Sequence, residues 1–207
     1  MCIRDRVTHR VNNQLTDVDG QAPSKKRKLD HRKKLNSSSI DLQRSIDAFN
    51  QALPILKLMG KNIYHAGEIG SGNGAKICNN MSLGITMIAA SESLMLARRL
   101  NIDIKKVHEI MKNASGNSWP ISVYPPLPGL IEGTPSNNKY KPGFSAGMMN
   151  KDLKLANECA KNANASTPLG EMALEIYSKF CEDGNSSKDF SAISKVIGGD
   201  AWDYPIE

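Results

Sequence analysis

Apolar and polar positions divide the chain into stretches of different rhythm. Residues 1–45 show no apolar periodicity, which predicts a segment without a packed core. From Ile46 the spacing turns helical. "IDAFNQALPILKLMG" predicts a helix from Asp47 to about Met59, weakened or kinked by Pro54 and stopped by Gly60. "NIYHAG" then reads as a short strand, so residues 46–70 are expected to be the closing fragment of an α/β sheet, with the chain beginning near the end of a larger domain.

Beyond residue 70 every segment reads as helix or loop. The first helix is expected from about Ser71 to Leu100, and a second, "DIKKVHEIMKNAS", from an Asp103 cap to Ser115. "WPISVYPPLPGLIEGTPSNN" predicts a long ordered loop or short broken helices. Two amphipathic helices follow, Met148–Ala163 and Pro168–Gly184, and a short capped helix over Ser186–Ile197 ends the set. The fold class is therefore mainly α, a long helix leading into an all-helical domain over residues 71–200, with 201–207 as a tail. No internal repeat interrupts this order.

Charge changes the picture only at the N-terminus. The 207 residues carry a formal charge of +6, but residues 1–46 hold 11 basic and 5 acidic side chains and the rest hold 16 of each. The block "SKKRKLDHRKK" lies in a stretch, residues 1–45, that is read as a disordered, solvated basic tail or as residues foreign to the mature protein. A nuclear or nucleic-acid-binding arm is the alternative. Cys2, Cys78, Cys159 and Cys181 are scattered without paired spacing, which argues against a disulfide framework or a zinc site and for a reducing compartment. The uncharged run Ile77–Ser91 spans 15 residues and includes Asn79, Asn80, Ser82 and Thr86. Crossing a bilayer takes roughly 20 mostly apolar residues, so this run reads as a helix buried in protein, and no membrane partner is expected. His9, His31, His65 and His108 share no ligand spacing; His108 reads as a helix-surface residue.

"GEIGSGNGAKICNNM" is where chemistry concentrates. Gly70, Gly72 and Gly74 fit neither a P-loop nor a dinucleotide fingerprint, and a tight turn into the long helix explains them better. Lys76 then lies in the first turn or two of that helix, with Asn80 at i+4 on the same face. The positive end of the helix dipole and an apolar setting both disfavour an ammonium, which suits proton transfer. A solvated lysine at a helix end is the plainer reading of the same residue.

Gly70, Gly72, Lys76, Asn79 and Asn80 satisfy G-x-G-x-x-x-K-x-x-N-N, the lysine motif of the β-hydroxyacid dehydrogenases. "YPPLPGLIEGTPSNNKYKPGF" and "MMNKDLKLA" resemble the mitochondrial 3-hydroxyisobutyrate dehydrogenase branch, and the resemblance runs from about Asp47 to Ile197. It implies a Rossmann domain for NAD, of which residues 46–70 would be the remnant, and a 6-phosphogluconate-dehydrogenase-like helical domain that also carries dimer contacts. It implies NAD-dependent oxidation of a small hydroxyacid, a homo-oligomer and a mitochondrial location, although no transit peptide is visible.

By position, the resemblance makes Lys76 the catalytic lysine and Asn80, with Asn79, substrate-binding. It assigns Phe144, Lys151 and Asp152 to the cofactor side, Asp152 pairing with a lysine. Lys151 and Asp152 also make an ordinary helix start, and Trp119 reads equally as a substrate wall or as core packing. The cofactor's Gly-rich turn, its acidic ribose ligand and the substrate-binding Ser-Gly-Gly loop are absent, so the chain is expected to be a truncated form supplying one wall of the cleft.

Overall fold

The computed structural model describes residues 46–199, in two compact units that divide after Gly72. Expectations for residues 1–45 and 201–207 lie outside the described residues. In the first unit, helix α1 occupies residues 46–59 and continues past Pro54. Residues 62–66 form neither helix nor strand. Among the described residues there is no strand at all, only an isolated antiparallel bridge between Ser145 and Asp189. The expectation for "NIYHAG" is corrected for a simple reason. A strand needs a neighbouring strand for its N–H and C=O groups, and the described residues include none. The His65 ring meets the Phe49 ring edge-on instead, with centroids 5.2 Å apart. Gly67 and Gly70 take positive φ, 123° and 94°, and Ser71 N–H donates to Glu68 O at 2.9 Å, closing the turn from which the long helix starts.

That helix, α2, spans Ser71–Arg99, 29 residues and about 44 Å. It is followed by α3 (Ile104–Asn113), the four-residue α4 (Trp119–Ser122), a 3-10 turn (Pro135–Asn138), α5 (Ala146–Asn162) and α6 (Pro168–Phe180). A π-type turn (Cys181–Asn185), a 3-10 turn (Phe190–Ala192) and α7 (Ile193–Gly198) complete the described order. Asp103 caps α3 as expected, accepting from Lys105 N at 2.9 Å and Lys106 N at 3.3 Å. The Lys106 and Lys105 backbone bonds hold its carboxyl below the ordinary carboxylate range. The last helix starts later than the sequence suggested. Asp189, not Ser186, is the cap of the turn leading into it, with its carboxylate accepting from Ser191 N.

In the second unit α2 is the spine. Met87 and Ile88 join Met149, Leu153, Tyr177, Phe180, Phe190 and Ile193 in one core cluster. Ala90, Leu94, Met95 and Ala97 join Ile104, Ile121 and Leu127 in a second. Serving two clusters explains why α2 is apolar on more than one face. Gly84 permits the closest approach, because a Cβ there would lie 3.1 Å from Leu153 and 3.2 Å from Met149. Gly84→Leu is therefore expected to cost about 1–3 kcal/mol by overpacking, read as a lower denaturation midpoint.

Two tyrosines stiffen this core. Tyr140 donates to Pro126 O at 2.7 Å and Tyr177 to Phe190 O at 3.1 Å. Burial holds the Tyr140 phenol well above its ordinary 10.0, and burial with the nearby Asp189 charge does the same for Tyr177. The unfolded chain ionises these phenols near pH 10.0 while the folded chain keeps them neutral, so their contribution is complete below that pH and lost above it. Thermal scans are expected to show stability falling steeply from about pH 10 upward, with Tyr177→Phe flattening the slope.

Candidate functional site

The residues singled out by the sequence fall into two groups. The first joins the start of α2 to the second turn of α5. Asn79 Nδ2 donates to Asn80 Oδ1 at 3.1 Å, and Asn80 Nδ2 donates to Asp152 Oδ2 at 2.6 Å. Two motifs separated by 72 positions thus meet through one short hydrogen bond. Asp152 is bonded to Asn80 and not, as expected, to a lysine. The amide is a better partner here because it is held on a rigid helix face, half-buried, whereas the lysines of this region extend into water.

Lys76 stands one turn before Asn80 and is exposed, as is Lys151 beside Asp152. The buried, apolar setting expected for Lys76 is not provided by the described residues. The first buried position of α2 is Gly84, two turns beyond Lys76. Two exposed lysine side chains therefore border the half-buried Asn80–Asp152 pair.

The second group is a ladder of rings. Trp119 stacks on Tyr124 with centroids 4.9 Å apart, Tyr124 on Phe190 at 5.6 Å, and Phe144 meets Phe190 edge-on at 5.6 Å. Trp119 remains 47% exposed, so one ring face is open while the other is packed. Trp119 thus covers the ladder and still presents a surface. Phe144 precedes α5, whose first turns carry Lys151 and Asp152, so α5 connects the two groups.

Two residues with no site role legible in the sequence organise this region. His108 is buried, not at the surface, and its Nε2 lies 2.8 Å from Ile121 O, tying α3 to the short helix that begins with Trp119. A signal was available: Ile104, Val107, His108 and Met111 form one stripe at helical spacing. Asp189 is fully buried, with both carboxylate oxygens engaged by donors from three chain segments. Its charge and its buried surroundings hold the Tyr124 phenol above the ordinary range, burial first. Among the described residues, no group of three His, Cys, Asp or Glu could hold a metal ion, and no helix is long and apolar enough to cross a membrane.

A glycine turn feeding a long helix, a lysine and two asparagines near its start, and a ladder of rings on an all-helical unit match the class of helical domain that the resemblance to β-hydroxyacid dehydrogenases implies. Comparison with known proteins makes the class specific. The family described as "NAD-binding of NADP-dependent 3-hydroxyisobutyrate dehydrogenase" matches residues 70–197. An NAD-dependent L-serine dehydrogenase of Pseudomonas aeruginosa is 40% identical over 151 residues, covering 73% of this chain and 51% of that protein. A 3-hydroxyisobutyrate dehydrogenase of the same organism is 42% identical over 155 residues, covering 74% and 52%. The human mitochondrial 3-hydroxyisobutyrate dehydrogenase is 42% identical over 151 residues, covering 73% and 45%. Among solved structures, the Mycobacterium tuberculosis 3-hydroxyisobutyrate dehydrogenase with L-serine aligns with a TM-score of 0.70 at 38% identity, covering 73% of this chain and 52% of that one.

The chain belongs to the 3-hydroxyisobutyrate dehydrogenase family of NAD-dependent oxidoreductases. It spans about half the length of the curated relatives it matches.

Proposed function

We propose that this chain supplies the helical wall of an enzyme that oxidises a short 3-hydroxycarboxylate with NAD, 3-hydroxyisobutyrate going to methylmalonate semialdehyde in valine breakdown. The reading is carried by the Asn80–Asp152 bond, which ties the lysine motif to the start of α5 at an exposed edge of the unit. L-serine is the rival substrate, because relatives include an L-serine dehydrogenase and a structure with L-serine. Both molecules are carboxylates with a hydroxymethyl group on the adjacent carbon, so one set of contacts serves either.

In this mechanism Lys76 Nζ takes the proton of the substrate hydroxyl as the carbon–oxygen bond becomes a carbonyl. NAD, when bound, supplies the acceptor for the hydride. One amide hydrogen of Asn80 is used by Asp152, and the second is offered to a substrate oxygen while Asn79 steadies the same side chain. The residues fit part of a dinucleotide: exposed Lys151 offers a cation to its negative charge, and the half-buried Phe144 a ring edge to its nicotinamide. Phe144 and Trp119 keep water from that side.

Hydride transfer requires cofactor and substrate to be held together in a dry cleft. With Lys76 and Lys151 exposed, the 207-residue chain alone is expected to give no turnover above background. A chimera with the N-terminal half of the Pseudomonas aeruginosa 3-hydroxyisobutyrate dehydrogenase placed before residue 46 is expected to reduce NAD. Comparing kcat/KM for 3-hydroxyisobutyrate and L-serine in that chimera selects the substrate. A chimera that folds and binds NAD but oxidises neither would refute the proposal. A homo-oligomer and a mitochondrial setting belong to the same reading. Leu96 in α2 and Leu100 just after its end, 61% and 60% exposed, give light scattering a reason to detect association. No observation favours the nucleic-acid alternative, whose basic block lies outside the described residues.

A further inference from the structure

Three chain segments meet at the carboxylate of Asp189, and two of them carry the aromatic walls. Oδ2 accepts from the Tyr124 hydroxyl at 2.8 Å, from Gly143 N at 3.0 Å and from Phe144 N at 3.1 Å. Oδ1 accepts from Ser191 N at 3.0 Å and Ser191 Oγ at 2.6 Å. The backbone adds a second layer: Asp189 N donates to Tyr140 O and Phe190 N to Phe144 O, both at 2.9 Å. Gly143 is needed for this convergence, since a Cβ there would stand 2.8 Å from the Tyr124 hydroxyl oxygen. Trp119 in turn rests on the Tyr124 ring.

The geometry points to Asp189 as a positioning residue that sets Trp119 and Phe144 together, one through the Tyr124 hydroxyl and the other through its own backbone N–H. The two oxygens divide the work. Oδ2 faces the walls, whereas Oδ1 only closes the local turn with Ser191. Substitutions on the two sides therefore have different consequences for Trp119, although each removes a hydrogen bond to the same carboxylate. As a role within the site, this rests on the reading of Trp119 and Phe144 as pocket walls.

The test needs no substrate. Trp202→Phe leaves Trp119 as the sole tryptophan of a chain that has two, so its emission and acrylamide quenching report the wall directly. In that background Tyr124→Phe and Asp189→Asn are expected to raise the quenching constant about two-fold and shift emission to the red. The double variant should exceed the larger single effect only slightly, because both act through one contact. Ser191→Ala, on the Oδ1 side, is expected to leave Trp119 unchanged.

Equal effects of Ser191→Ala and Tyr124→Phe, or no effect of Tyr124→Phe on Trp119, would overturn the proposal. Those two variants decide it even where Asp189→Asn does not fold. An inactive chimera removes the enzymatic reading alone, and unmoved quenching removes this one alone, so the two failures are distinct.

Discussion

Asp189→Ala is expected to lower the unfolding free energy by about 3 kcal/mol or more, and the melting temperature by roughly 6–12 °C. The side chain is fully buried and receives donors from Tyr124, Gly143, Phe144 and Ser191. Removing it leaves these groups in an apolar interior with nothing to accept them. Each such loss costs more than the bond itself contributed, because the desolvation of the orphaned donor is no longer offset. The effects overlap at one carboxylate and do not sum, which keeps the figure well below five separate bonds. Ser191→Ala, which removes one donor and leaves the carboxylate satisfied elsewhere, is expected to cost about 1 kcal/mol. Circular dichroism melts of the two variants test the difference; a smaller loss for Asp189→Ala than for Ser191→Ala would contradict it.

Lys76→Ala, made in the chimera, is expected to reduce kcat by about 10²–10⁴ while NAD affinity stays within about two-fold. The side chain is exposed, and no hydrogen bond of Asn79, Asn80 or Asp152 runs to it, so its loss should leave the neighbouring geometry and the melting temperature unchanged. A fall in kcat without a fall in stability separates a proton-transfer role from a structural one. Unchanged kcat would remove Lys76 from the mechanism and leave its neighbours as a mere helix contact. Asp152→Ala makes a useful comparison. It frees the Asn80 amide and is expected to raise KM more than it lowers kcat, since Asn80 holds substrate and moves no proton.

Much of the fold was legible in the order of residues. The expected Ser71–Leu100 helix is Ser71–Arg99, the Asp103 cap is in place, and α5 and α6 start within two residues of their expected positions. These features depend on contacts within one or two helical turns, so local spacing suffices to foresee them. The absence of a strand over residues 62–66 was not foreseeable in the same way, because β structure depends on a neighbour that local sequence does not specify. The late start of the last helix has a similar origin. Ser186 is an adequate cap by type, but the buried Asp189 carboxylate takes Ser191 N and begins the turn there.

The site was readable as an inventory and not as a set of partners. Lys76, Asn79, Asn80, Trp119, Phe144, Lys151 and Asp152 could each be named, yet Asp152 was given a lysine and has Asn80. His108 was placed in water and lies against Ile121 O. Asp189 was given no role, and its bond to Tyr124, 65 residues away, could not be read from local spacing. The sequence by itself determined the helices, their caps and the lysine motif, since i to i+4 geometry acts within a few residues. Tertiary structure alone decided which polar groups lose water and what replaces it, because that choice is made between residues brought together only when helices pack.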